Sequence, residues 1–248
     1  MGEGDVAVRV EALSKRYGGV AALDAVSLSV PHGEAFGLVG ANGAGKTTLI
    51  RCLLDLTAGD AGTIEIFGRH AREPASRRHL SYLPERFLPP HYLTGAEFLR
   101  TLAALGGGAY DEARALRLVA ELELERDALA RPVRQLSKGM TQKLGLAAAL
   151  SLERELYVLD EPMSGLDPAA RVAVKSLLQR LSAEGRTLFF TSHVLADVDE
   201  LSSSIAVLEH GRLYFRGAPQ ALLARYGEPS LERAFMRCIR DDQAAARA

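Results

Sequence analysis

The chain has 248 residues, 48% of them hydrophobic and 25% charged, a balance that excludes a disordered or fibrous chain and suits one large globular domain or two small units sharing a core. A formal net charge of −1 and a pI near 6.6 leave no overall positive field to hold nucleic acid or anionic lipid. No segment approaches the roughly 18 to 20 uninterrupted apolar residues that span a bilayer, and the two cysteines, Cys52 and Cys238, offer neither a disulfide framework nor metal-ligand spacing.

The amino-terminal stretch MGEGDVAVRVE carries acidic residues and no apolar run suited to a signal peptide, so residence in the cytoplasm is the expectation. Its Met-Gly start lacks the Ser/Thr that a myristoylation motif wants. VAVRVEAL and AVSLSV, the second bounded by Pro31 and Gly33, read as strands of a small antiparallel layer. EAFGLVG reads as a buried strand. The glycine-rich GANGAGKTTLIRCLLDL then turns into a helix, with Leu49, Cys52, Leu53 and Leu56 at helical spacing. TIEIFG and LSYLPE are further strands. From about Phe87 to Leu152 the pattern is helical and richer in Ala, Leu and charge, the mark of an inserted unit.

Alternation resumes with ELYVLDEP as a buried strand, a helix from about Pro168 to Ala183, TLFFTSH as strand, a short helix, and SIAVLEH and GRLYFRG as strands. Ser230 is placed to cap a last helix whose Leu231, Phe235 and Cys238 share a face, and the polar, Ala-rich tail after Arg240 is expected to fray. The order predicts an α/β fold: a mixed, mostly parallel sheet covered on both faces, an antiparallel β layer on the N-terminal side and a helical subdomain insertion. The predicted division is a catalytic core of 1–85 and 154–227, an inserted helical unit of 86–153, and a C-terminal helix and tail of 228–248.

Gly40, Gly45, Lys46 and Thr47 satisfy G-x-x-x-x-G-K-[ST] between a strand and a helix, the signature of a P-loop NTPase core. The glycines let backbone amides approach a phosphate, and the helix start offers its positive dipole end. Lys46 is a mobile point charge for the β and γ phosphates of ATP, and the Thr47 hydroxyl is placed for Mg²⁺. Asn42, Gly43 and Thr48 complete the predicted cradle. ELYVLDEP sets two carboxylates at the end of an apolar strand, where charge is costly unless a cation or water requires it. Asp160 is the predicted Mg²⁺ partner through its water shell, and Glu161 the base that polarises the attacking water.

On these motifs the chain resembles the nucleotide-binding subunits of ATP-binding cassette (ABC) transporters over nearly its whole length, to about residue 225. LSKGM, Leu136 to Met140, is similar to the family signature LSGGQ and keeps Ser137 and Gly139. The resemblance implies that Ser137 and the amide of Gly139 begin a helix and clasp the γ-phosphate of ATP held by an opposite subunit. It further implies that Tyr17 stacks on adenine, that the SGLD loop, Ser164 to Asp167, works across the subunit interface with Asp167 near the shared nucleotide, and that His193 is the switch histidine beside the γ-phosphate. Glu85 stands where the family has a glutamine that touches Mg²⁺ and water, and it is expected to make engagement more metal-dependent.

Within the signature, Lys138 replaces glycine and Met140 replaces glutamine; the SYLPE and SKGM variants look more like subunits serving exporters than importers. One chain carries one phosphate loop and one signature, so two copies are needed for a composite site, and a homodimer that closes on ATP is expected. The resemblance implies transmembrane permease subunits as partners, engaged near RFLPPHYLTGAEFLR, with the chain peripheral on the inner face of the cell membrane and no nucleic acid partner. The competing reading, a non-transport cassette ATPase acting on ribosomes or DNA, is disfavoured by the single cassette and the near-zero charge.

Overall fold

The computed structural model describes residues 6–245. The targeting readings on residues 1–5 and the last three residues of the tail lie outside them.

Two sheets pack with a helix between them. β1 (Val6–Tyr17) and β2 (Val20–Pro31) form a long antiparallel hairpin that continues through β4 (Ala61–Ile66) to β5 (Arg69–His70), in the order β2-β1-β4-β5. The six-stranded sheet joins β3 (Ala35–Val39), β6 (Leu80–Leu83), β7 (Leu156–Leu159), β8 (Thr187–Ser192), β9 (Ser204–Glu209) and β10 (Arg212–Gly217). Its order is β10-β9-β3-β8-β7-β6. The ladders run parallel except for the edge pair β9-β10.

Why the parallel strands read as unbroken apolar runs is visible in how they divide their side chains. In β3, Phe36 and Leu38 point to one core while Ala35 and Val39 point to the other; in β7, Leu156 and Val158 are set against Tyr157 and Leu159. Successive side chains of a strand face opposite ways, so a strand covered on both sides needs apolar residues at every position. The first core is closed by α1 (Lys46–Leu53) and the antiparallel sheet, the second by the remaining helices.

The hairpin is longer than its sequence pattern announces, and its register shifts explain why. Ala12 at φ 46° sits where the ladder slips between Val10 and Leu13, and Ala25 at φ 52° where it slips again between Leu13 and Lys15; such bulges break the period-two alternation on which a strand is recognised. Leu56 also departs from expectation. α1 ends at Leu53, Asp55 turns at φ 57°, and Leu56 is 60% exposed rather than on the helix face.

Between β6 and β7 lie α2 (Gly95–Leu105), α3 (Glu112–Glu121) and α4 (Lys138–Ser151). α2 starts with a reciprocal capping box: Thr94 accepts the Glu97 amide, and Glu97 accepts the Thr94 amide at 2.8 Å. α5 (Pro168–Ala183) has the expected bounds, its start capped by Asp167 with Pro168 as the first helical residue, and α6 (Leu195–Leu201) is the short helix after β8. The chain then folds as α7 (Pro219–Tyr226), ended by Gly227 at φ 62°, and α8 (Leu231–Ala245). Leu231, Ala234 and Cys238 are buried, with Ser230 Oγ accepting the Arg233 amide at 3.4 Å. The expected fraying does not begin at Arg240, since α8 runs on through Ala245. Among the described residues no helix is long and apolar enough to cross a membrane.

Candidate active site

The carboxyl ends of the parallel strands converge on one cavity of about 400 Å³. β3 delivers the glycine loop. Gly43 and Gly45 take φ 84° and 113°, and a Cβ on Gly45 would stand 2.5 Å from the Ala22 carbonyl oxygen, so this turn admits no side chain there. Gly40 is equally constrained, its missing Cβ facing the Leu208 carbonyl. The loop is braced from β9, where Glu209 Oε2 accepts the Ala41 amide at 3.3 Å. α1 begins at Lys46 directly behind it, presenting its free amides and dipole end to the cavity. The Lys46 ammonium, on a residue only 8% exposed, donates to the carbonyls of Gly40 at 2.8 Å and Ala41 at 3.1 Å.

β7 ends in the carboxylate pair. Asp160 accepts from the Thr47 hydroxyl at 3.2 Å and from the Thr191 hydroxyl at 2.7 Å. Burial raises the Asp160 pKa above the ordinary carboxylate value, opposed by those two hydrogen bonds. Glu161 follows at φ 51°, a left-handed backbone that costs a non-glycine residue about 1–3 kcal/mol and persists only when its surroundings impose it. Its carboxylate Oε2 lies 2.8 Å from His193 Nδ1. Burial raises the Glu161 pKa too, with the His193 charge and hydrogen bond acting against it. A carboxyl with enhanced proton affinity, aimed into a cleft, has the character of a general base.

The cavity is thus lined by Asn42, Gly43, Gly45, Lys46, Thr47 and Thr48 from the loop and α1, and by Glu85, Asp160, Glu161 and His193 from the strand ends. Tyr17 stands apart at the exposed end of β1, with the Lys15 ammonium 5.5 Å from its ring centroid. Ser137, Gly139 and Asp167 do not line the cavity of their own subunit. Ser137 caps α4, its hydroxyl accepting the Met140 amide at 3.2 Å, and Asp167 caps α5 by accepting the Ala170 amide at 2.9 Å. The two caps belong to one patch, since a Cβ on Gly139 would sit 3.5 Å from the Gly165 carbonyl oxygen. Lys138 lays its side chain along Gly165 in that same patch.

Sequence reading passed over Thr191, whose hydroxyl also accepts the Glu161 amide at 2.8 Å, and Glu209. The available signal was a polar residue ending a fully apolar strand beside a carboxylate strand, where burial demands a partner. Gln142, two residues past the signature string, is buried against the loop after Glu161, a contact that its place in the sequence does not announce.

A family model described as ABC transporter matches residues 23–164. An uncharacterized ABC transporter ATP-binding protein of Synechocystis is 39% identical over 203 residues, covering 80% of this chain and 57% of that protein. The Nod factor export ATP-binding protein I of Mesorhizobium japonicum is 39% identical over 222 residues, covering 88% of this chain and 65% of that protein. The chain therefore spans about three fifths of the length of these curated relatives. A solved ATP-binding subunit of an ABC transporter superposes with a TM-score of 0.85 at 32% identity, covering 94% of this chain and 99% of that one.

Proposed function

The chain belongs to the ABC transporter family of ATP-binding proteins, and from that premise we propose that it binds and hydrolyses ATP to drive export through separate transmembrane subunits. The observation that carries the reading is the convergence of Lys46, Asp160, Glu161 and His193 on one cleft at the start of α1. The glycine loop and the amides of α1 hold the β-phosphate, and Lys46 spans the β and γ phosphates. Glu161, its proton affinity enhanced by burial, takes the proton of the attacking water, and His193 fixes that carboxylate through their 2.8 Å contact.

The donor set also fits Mg²⁺. Among the described residues no cluster of three or more His, Cys, Asp or Glu could enclose a metal by itself. Thr47 and Asp160 instead offer adjacent hard oxygens, with Glu85 on the same cavity wall, and Mg²⁺ is characteristically held by one or two protein oxygens with substrate phosphates and water. When bound, the ion supplies charge neutralisation between the phosphates.

Ser137 and Gly139 do not line their own cavity, which supports a two-fold pair in which each helix start caps the nucleotide of the other copy. Tyr17 is proposed to stack on the base, and Asp167 to work at the shared interface. Residues 1–85 and 154–227 would form the core and 86–153 the inserted unit that meets the membrane partners. The similarity to a Nod factor export protein supports export as the direction, and with it a place on the cytoplasmic face of the membrane.

The test is the Glu161→Gln variant, expected to accumulate as an ATP-bound dimer in sedimentation while its hydrolysis falls at least about 100-fold. Lys46→Ala is expected to lose hydrolysis as well. Monomers alone at saturating Mg²⁺ and ATP, with hydrolysis intact in both variants, would overturn the proposal.

A further inference from the structure

Gln142 sits in the second turn of α4 and is only 6% exposed. Its side chain crosses out of the helical insertion into the core. Nε2 donates to the carbonyl of Pro162 at 3.0 Å and reaches that of Glu161 at 3.5 Å. A buried carboxamide directed at main chain holds that main chain in place, because losing the bond would strand polar groups away from water.

The main chain in question is the strained one. Glu161 keeps φ 51° with its amide donated to Thr191 on β8, while its carbonyl accepts the Ser164 amide at 3.0 Å. Thr191 grips this segment from the core and Gln142 grips it from the insertion. The same two turns of α4 bear on the loop again further along, with Gly139 against the Gly165 carbonyl and Lys138 along Gly165. Start of helix and loop are therefore packed as one block. Ser137 lies five residues before Gln142 on that rigid rod, about 7.5 Å away along the axis.

We propose that Gln142 is a positioning residue that ties the backbone of Glu161 to the docking of Ser137 on the nucleotide of a second copy, so that each subunit's base is set only when the opposite site is loaded. The inference rests on the two-copy reading given above. Its physical content is a shared element whose position both sites bias.

The experiment is Gln142→Met, which keeps the volume and removes both donors. Melting temperature, affinity of the single subunit for a fluorescent ATP analogue, kcat and the Hill coefficient for ATP are measured in the full chain. The expected result is nucleotide affinity within about twofold of the parent, kcat down about tenfold, and a Hill coefficient falling from near 2 toward 1. If the variant does not fold, Gln142→Asn, which withdraws the donor by one methylene, is put through the same measurements and expected to show the same pattern.

Unchanged kcat and cooperativity overturn the proposal, as does a lowered kcat with undiminished cooperativity, the mark of a merely structural role. Glu161→Gln alone separates the two levels: failure to dimerise sinks the two-copy reading itself, whereas dimerisation beside an unaffected Gln142→Met sinks only the role of Gln142.

Discussion

The hydroxyl of Thr191 donates to Asp160 at 2.7 Å while its oxygen accepts the Glu161 amide at 2.8 Å. One side chain on β8 therefore fixes both carboxylate residues at the end of β7. Thr191→Val removes the hydroxyl at nearly constant shape and leaves a buried carboxylate oxygen and a buried amide short of a partner. The expected cost is about 1–3 kcal/mol of stability, with lower turnover. Denaturant midpoints and steady-state hydrolysis measure it, and parity in both dismisses the role.

Glu85 shares the cavity wall with Asp160 and its charge helps raise the Asp160 pKa. A full charge there repels nucleotide phosphates until a cation screens it. Glu85→Gln is expected to lower the Mg²⁺ concentration for half-maximal hydrolysis roughly fivefold, equivalent to about 1 kcal/mol of relieved repulsion. An unaltered Mg²⁺ titration contradicts this account.

Within the glycine loop, two positions of positive φ should respond differently. Gly45→Ala forces a methyl against the Ala22 carbonyl at 2.5 Å, whereas Gly43→Ala meets nothing within 4 Å. Gly43→Ala should cost only the left-handed backbone penalty of about 1–2 kcal/mol and still bind ATP, while Gly45→Ala should lose binding. Equal affinities by calorimetry would refute the distinction.

Asp60 carries a pH signature remote from the cavity. The Lys15 ammonium at 2.8 Å and the Arg16 amide at 2.7 Å hold its carboxyl below the usual range. The folded state favours the ionised form, so this stabilisation is present above the unfolded pKa of about 3.9 and is lost as pH falls through the lower folded value. Asp60→Asn should melt lower than the parent at pH 7, with the gap closing below about pH 4. A gap that stays constant down to acid pH would mean that charge is not its origin.

Much of this was legible in the residues. The phosphate loop, the carboxylate pair and the bounds of α5 follow from local rules, because glycine spacing, an apolar strand and a Pro after Asp167 each act over a few positions. The full reach of β1 and β2 did not, since bulges at Ala12 and Ala25 scramble the alternation. Leu56 misled because helical spacing says nothing about where a helix stops. Thr191 and Gln142 act on residues 30 and 20 positions away, contacts that only the folded sheet and helix create.

Lys46 already has its ammonium occupied by the carbonyls of Gly40 and Ala41. An arriving ligand must outcompete two neutral oxygens for that cation, and only a polyanion does so with a margin. A bare nucleoside gains nothing from the exchange. The loop thus screens for a phosphate chain before any base is inspected.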